Sequence, residues 1–586
     1  MSLPADGGSD GAASGEGGFA DASSPDGSRT DGSANDGSTS DSGDSGPSSV
    51  SVQILAINDF HANLQPPIGS SSLVQAKLGD PAAGDAGTPL DGGIQSVVAG
   101  GAAYLATHLK TLKAGNANTI IVSAGDATGA APLASALFHD EPSVLALSAM
   151  GLDVNAVGNH EFDRGVAELL RLQYGGCNPD TGCVDSTGFP GATFEYLAAN
   201  VEVSPGKTVF PRYTVKTSGG AKIAFVGMTL EGTPTITTPN AVAGLTFDNE
   251  VKTVNALVPE IQAQGVSAIV VLIHQGGFPA PTNTYDDCQT LTGDILPIVN
   301  GLDPAIEVVV SAHTHQGYNC TIGNRLVTSA ASFGRLLTKI DLTLDVNAHK
   351  ITSKAAHNVL VSRDVTPDPA VSAIVAKYVG LAGPIASRIV GHVSGPVSEV
   401  INAAGESPLG DVIADAQLFA TSDPKNGGAV IAFMNPGGIR ADLVPDANNA
   451  LSYSAAYTTQ PFNNGVVTMT LTGDQIHQLL EQQFIPTKPR LLQVSSGFTY
   501  HYDVTKPAGQ KVDATSMKLN GVTIDPAGTY SIAVNSFLST GGDGFTVLVA
   551  GTNRAGGTLL DIDALVSYLS AHDPLTIPTP NRLFTP

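Results

Sequence analysis

The chain has 586 residues, more than one hydrophobic core needs at roughly 150 residues per domain, which excludes a mini-protein held together by staples. Only 14% of its residues are charged, and 53 acidic against 28 basic side chains leave a formal charge of -25. That balance argues against polymeric nucleic acid as a partner, because gripping a phosphate backbone takes clustered Lys and Arg. Short nucleotides stay open.

Residues 1–49 are mostly Gly, Ser, Ala and Asp, a composition that cannot bury enough apolar surface to offset its ordering entropy, and they read as a disordered tether. No charged start followed by an apolar stretch opens the chain, so an exported protein would have lost its leader, and a membrane tether through a preceding segment stays open. The first apolar stretch begins at Val50, and no run of about 18 apolar residues follows, so no transmembrane segment is expected.

From there, short β-branched runs each stop at a residue able to bind a metal. SVQILAINDFHANL leads to Asp59 and His61, NTIIVSAGD to Asp126, DVNAVGNHEFD to Asn159 and His160, SAIVVLIHQGG to His274, and EVVVSAHTHQ to His313 and His315. The runs are too short for helices and nearly continuous in apolar character, as strands buried on both faces are. Between them, GAAYLATHLKTLKAG and PSVLALSAMG have helical spacing, with Gly115 and Gly151 placed as C′ glycines. Alternating strands and helices imply α/β layers, in which ligands gather beyond the carboxyl ends of strands.

Four cysteines fall in this half. Cys177 and Cys183 flank a loop, and Cys288 and Cys320 each follow a metal-ligand candidate. An even count beside such a tether suggests two disulfides and an oxidising compartment; zinc is the rival, though the spacing does not match paired CxxC.

Beyond Lys350, TPDPAVSAIVAKYVG reads as a helix with Asp368 as N-cap, Pro369 in its first turn and Gly380 closing it. TGDQIHQLLEQQF reads as a structural helix capped by Thr472, with Ile476, Leu479, Leu480 and Phe484 at helical spacing. FMNPGGIRADL and NSFLSTGGDGFTVL differ, since their glycine turns present Arg440 and Asp543 where a backbone can approach a ligand.

The residue types at the strand ends suit two neighbouring divalent cations. A shared carboxylate offsets their mutual repulsion, while imidazoles and carbonyl oxygens fill each shell without piling up negative charge. Asp59 and His61, like His313 and His315, would share one face of a straight strand. Mixed O and N donors fit Mn, Zn, Fe or Co better than Ca.

DFH, GD, GNHEFD, an isolated IH and a late HTH, in that order, resemble the calcineurin-like metallophosphatases and specifically the 5′-nucleotidase family. The resemblance implies a four-layer α/β/β/α sandwich at 50–360, a linker helix at 361–385, and a mixed α+β substrate-binding domain at 386–586. It assigns one metal to Asp59, His61, Asp126 and His315, and the other to Asp126, Asn159, His274 and His313, with Asp126 bridging. Its catalytic dyad falls on His160 and Asp163. Hydrolysis of a phosphate ester by a metal-activated hydroxide is implied, with His160 stabilising the transition state or protonating the leaving alkoxide. Ala312 stands where the family usually has Gly.

In the second half the resemblance implies that Phe462 and Phe537 sandwich a nucleobase, Asp543 takes ribose hydroxyls, Asn435 and Asn464 touch the nucleoside, and Arg440 contacts phosphate. One departure lies in SEVINAAGESPLGDVIADAQ, where Glu399 and Ala403 occupy positions at which nucleotidases of this family carry arginines. Lost guanidiniums mean lost bidentate phosphate contacts, so weaker discrimination by terminal phosphate charge is expected. The favoured expectation is an exported nucleotide phosphohydrolase in a periplasmic, cell-surface or extracellular setting. The alternatives are a 2′,3′-cyclic nucleotide phosphodiesterase or nucleotide-sugar hydrolase of the same family, and a non-catalytic surface module.

Overall fold

The structure is a computed structural model that describes residues 49–81, 87–185, 187–485 and 489–586. The expected tether lies outside the described residues except for Ser49, which already belongs to the strand Ser49–Ile57.

That strand sits in a six-stranded sheet with the spatial order Lys350–Leu360, Leu336–Asp345, Ser49–Ile57, Thr119–Ser123, Val154–Ala156, Glu195–Leu197. Ser49–Ile57 runs parallel to Thr119–Ser123 and antiparallel to Leu336–Asp345. A second six-stranded sheet has the order Tyr213–Ser218, Ala221–Thr229, Ala268–His274, Ile306–Ser311, Arg325–Ala330, Gly317–Ile322. The two sheets face one another through Val52, Ile54, Val122, Phe225, Val270, Leu272, Val308 and Val310, all fully buried. Leu105 and Leu109 of the helix Ala102–Ala114, with Val144 and Leu147 of Glu141–Met150, cover the outer face of the first sheet. Val254, Leu257 and Ile261 of Glu250–Gln262 cover that of the second. Every central strand is thus apolar on both faces, which explains the unbroken runs in the sequence, and the layers are α/β/β/α.

Local signals hold unevenly. Gly151 ends its helix in the left-handed region at φ 81, as a C′ glycine does, whereas Gly115 caps with ordinary helical geometry at φ -77. Asp368 accepts from the backbone N–H groups of Ala370 and Val371, but the helix does not close at Gly380. It runs Pro369–Ala386 because Ala382, beyond the glycine, is buried, and packing outweighs the local cost of Gly. By length and composition this helix could cross a membrane, although the sequence reading expected no such segment. It is also a packed helix here, with Val371 and Tyr378 buried and Tyr378 meeting Phe138 edge-on at 5.0 Å.

The remainder is a mixed α+β unit around a five-stranded sheet, ordered Gln493–Val494, Ile431–Met434, Thr529–Asn535, Gly465–Thr472, Thr552–Leu560. Thr472 caps Gly473–Glu481 in a reciprocal box with Gln475, and Ile476, Leu479 and Leu480 are buried; Phe484 packs on the same core from beyond the helix end. One apolar cluster joins the two halves: Ala62, Leu133 and Ala136 from the first pack with Leu409, Ile439 and Leu443 from the second.

Candidate functional site

The parallel strands end at one rim, and the loops beyond them are stitched together there. Asp59 N–H donates to Gly125 O (3.0 Å), His61 N–H to Asp126 O (2.8 Å), and Phe333 N–H to Asp59 O (2.8 Å). Asp59, His61, Asp126, His313 and His315 all have left-handed backbones, at φ 48, 46, 52, 72 and 58. Such conformations cost a non-glycine residue free energy and persist where surrounding contacts over-determine them. The expectation that pairs two apart share a strand face is corrected by this finding. The strands end at Ile57 and Ser311, and left-handed turns rather than pleat alternation aim these side chains.

Asp59, His61 and His315 form one group of facing ligand atoms, Asp126, His274 and His313 a second, and His61, Asp126 and His160 a third. Asp126 therefore stands between the groups. His61 Nδ1 lies 3.0 Å from Gly129 O and His274 Nδ1 2.9 Å from Ala124 O, which fixes the rings with Nε2 turned inward. Inside, His61 Nε2 and His315 Nε2 are 3.0 Å apart. His274 Nε2 is 2.9 Å from Asp126 Oδ2, and the buried Asn159 Oδ1 has no hydrogen-bond partner among the described residues. Orphaned donors of mixed O and N type, converging in a buried rim, fit divalent cations. Burial opposes the ionisation of Asp126, yet the imidazoles around it, His274 foremost, hold its carboxyl well below the usual range. Burial likewise opposes charge on His274, and Asp126 and Asp59 outweigh it, raising this imidazole to about 10.

Glu161, which the sequence reading passed over, underlies this arrangement. Its carboxylate accepts from the N–H groups of Asp126 (2.9 Å), Ala127 (2.7 Å), Thr128 (3.3 Å) and Gly158 (2.6 Å), pinning both ligand-bearing loops. Burial, with Asp126 beside it, pushes Glu161 up to about 7. An acid inside GNHEFD, flanked by polar candidates yet followed by a buried Phe162, was the available signal. Gly158 admits no side chain, since a Cβ there would lie 2.2 Å from Asp126 Oδ1.

His160 Nδ1 is 2.9 Å from Asp163 Oδ2, and its backbone N–H donates to Asp126 Oδ1 at 2.9 Å. Burial disfavours the imidazolium, but Asp163 and Asp126 raise His160 above its ordinary value. Both side chains open into a cavity of about 950 Å³ between the two halves, which Asn159, His313, Asn435, Arg440, Phe462, Asn464, Phe537 and Asp543 also line. All six residues expected at the substrate thus reach one chamber. The Phe462 ring stacks on His160 at 5.7 Å, and Arg440 Nη2 is 3.3 Å from His61 Nε2. Asn435 donates to Asp543 Oδ2 (2.9 Å), and Arg490, absent from the sequence expectations, donates to its Oδ1 (3.2 Å). Asn464 Oδ1 accepts from Ser536 Oγ at 3.2 Å. All four cysteines pair, as Cys177–Cys183 and Cys288–Cys320, which removes the zinc alternative for them.

The sequence profile of the calcineurin-like phosphoesterases matches residues 52–317, and that of the 5′-nucleotidase C-terminal domain matches 389–550. The chain belongs to the 5′-nucleotidase family, in which a calcineurin-like phosphoesterase unit is joined to this C-terminal domain. It is 32% identical over 475 residues to the endonuclease YhcR of Bacillus subtilis, covering 80% of this chain and 37% of that protein. It is 30% identical over 537 residues to the cell wall protein Lmo0130 of Listeria monocytogenes, covering 85% and 64%. The chain thus spans less than two thirds of either relative. The crystal structure of a 5′-nucleotidase precursor from Thermus thermophilus superposes with a TM-score of 0.73 at 25% identity, covering 92% of this chain and 99% of the other.

Proposed function

We propose that the chain hydrolyses phosphate esters of nucleotides, as an exported 5′-nucleotidase-like phosphohydrolase holding two divalent cations. The observation that carries this reading is the single cavity of about 950 Å³, with Asn159, His160, Asp163 and His313 at one part of its wall and Phe462, Phe537 and Asp543 at another. Asp59, His61, Asp126 and His315 would hold one cation, and Asp126, Asn159, His274 and His313 the other. Divalent cations bound there supply Lewis-acid stabilisation of phosphoryl oxygens and lower the pKa of water.

The chain's own groups do the rest. Arg440 points its guanidinium at a phosphoryl oxygen beside His61. Phe462 and Phe537 hold a base between their faces, Asp543 accepts from ribose hydroxyls, and Asn435 and Asn464 orient the nucleoside. His160, oriented by Asp163, stabilises the transition state or delivers a proton to the leaving alkoxide, a contribution of roughly 10²–10⁴-fold. Export is supported by the two disulfides and by the name of the cell wall relative. The division into 50–360, a linker helix and 386–586 belongs to the same reading.

A second reading, cleavage of diesters, is favoured by Glu399. It lines a cavity together with Arg440 where a further guanidinium would serve a terminal phosphate. The test of both is separation of the products formed from AMP, ADP, ATP, UDP-glucose, 2′,3′-cyclic AMP and bis-p-nitrophenyl phosphate, with and without Mn, Zn or Co: adenosine and phosphate from AMP, a nucleoside monophosphate from 2′,3′-cyclic AMP or UDP-glucose, nitrophenol from the last. Turnover of AMP alone supports the first reading; turnover of the diesters alone supports the second. No product from any substrate with any metal refutes hydrolysis.

A further inference from the structure

A second cavity, of about 310 Å³, opens at the same rim and is lined by Ser70, Ser71, His315, Ser332, Phe333, Arg335, Glu399, Ile439 and Arg440. Arg440 borders both cavities, and His315, one of the clustered imidazoles, borders this one.

Its walls are fixed. Asp442 Oδ2 accepts from the Ser70 N–H (2.8 Å) and its Oδ1 from the Glu399 N–H (2.8 Å), so one carboxylate ties a turn of the first half to a loop of the second. Three of the five N–H groups of the Arg335 guanidinium are held by Leu73 O, Ser332 O and Ser332 Oγ, at 2.8, 3.0 and 2.7 Å, which fixes its position on the wall. Two polar groups of these walls have spare hydrogen-bonding capacity. Ser71 is 9% exposed and its buried Oγ has no hydrogen-bond partner. The Glu399 carboxylate has only a long contact from Ser70 Oγ at 3.4 Å. Phe333 adds an apolar ring beside His315, at 5.4 Å.

A carboxylate acceptor, an unsatisfied hydroxyl and an aromatic wall match a sugar. The volume suffices for one sugar ring. The missing guanidinium at Glu399 is equally selective. Glu399, which burial and Asp442 push up to about 7, stands beside Arg440 and offers a terminal phosphate of about -1.5 to -2 at pH 7 no second positive partner, whereas a diester carries one charge less and an ester arm in its place.

Resting on the phosphohydrolase reading above, we propose that this second cavity receives the second, hydroxyl-bearing ester arm of a nucleoside phosphodiester, with Ser71 and Glu399 as its specificity-determining residues. The substrate then spans both cavities with its phosphorus beside Arg440. Hydrolysis breaks one P–O ester bond, water oxygen joins phosphorus, and one water proton ends on the released alcohol. The products are a nucleotide monoester and a free nucleoside.

The experiment compares AMP with the dinucleoside phosphate ApA on the Mn-loaded full chain, for the native protein, Ser71→Leu, which fills the cavity, and Glu399→Gln, which keeps shape and removes charge. Equilibrium titration of both probes before metal is added gives a readout separate from turnover. The expected result is a KM and a dissociation constant for ApA about tenfold higher in each variant, the size of one lost hydrogen bond to a charged group. AMP should stay within about twofold in Ser71→Leu, whose hydroxyl a monoester does not reach. Parallel shifts for AMP and ApA, unaltered ApA values in both variants, or native protein that cleaves AMP but not ApA each overturn the second-arm site alone. Native protein that cleaves neither overturns the phosphohydrolase reading and this inference with it.

Discussion

The ring of His160, from the first half of the chain, lies on the ring of Phe462, from the second, with centroids 5.7 Å apart and planes 26° from parallel. Arg440 sits over the same Phe462 ring at 5.9 Å. One aromatic side chain thus links His160, Arg440 and the chamber wall. Phe462→Ala should raise KM for a nucleotide about tenfold, the scale of one lost base stack, with metal content unaltered. Steady-state kinetics alongside elemental analysis would check it, and a KM within twofold of native would remove Phe462 from the base site.

The dyad should separate chemistry from metal binding. His160→Ala is expected to lower kcat by roughly 10²–10⁴-fold, and Asp163→Asn by less, because the imidazole persists without its orienting acceptor. Metal stoichiometry should hold in both. A native kcat in His160→Ala with full metal content would sink the assignment.

Glu161 makes the opposite prediction. It touches no substrate, yet it gathers four backbone N–H groups on the loops that carry Asp126 and Asn159. Glu161→Ala should weaken metal affinity about 10–100-fold, the usual cost of losing an outer-sphere partner, and added metal should restore most of the activity. Metal titration of both proteins would decide. Equal affinities would mean that the loops hold themselves.

Asp411 offers a test of stability against pH. It is fully buried, the Glu406 carboxyl stands beside it, and Arg582 Nε is 3.5 Å away. Burial, with Glu406 and Asp415 beside it and Arg582 opposing, pushes it up to about 8. An unfolded chain gives up this proton near the ordinary value of 3.8, while the folded chain keeps it to about 8. The folded state binds more protons across that window, so this contribution is full below the lower value and lost as pH rises through the window. Asp411→Asn removes the charge, and its Tm advantage over the native chain should grow from pH 5 to pH 8. Melting curves with a constant difference at both pH values would contradict it.

Much of the site is legible in the sequence because metal chemistry leaves a fixed residue vocabulary at strand ends. Asp59, Asp126, Asn159, His274 and His313 each follow a buried apolar run, and a run too short for a helix announces both its strand and its rim. How Asp59 and His61 come together is not legible, since strand alternation gives way to a left-handed turn. Glu161 escapes notice for a related reason: a carboxylate that binds backbone amides has no spacing signature. The helix expected to stop at Gly380 continues, because the buried Ala382 is decided by packing against another layer.

By itself the sequence determined the alternation of strands and helices and the metal-capable residues at five strand ends, which follow from residue type and local periodicity; the four-layer order, the two ligand sets and the residues expected at the chamber came only through the resemblance to the 5′-nucleotidase family. Only the tertiary structure decided that Arg440 comes within 3.3 Å of His61, that Glu399 and Ser71 face one small cavity, and that Asp442 fastens the two halves around it. Those pairs are separated by 379, 328 and 372 positions, counting Ser70 as the partner of Asp442. Local periodicity carries no information over such spans, and their meeting depends on how two independently patterned surfaces bury one another.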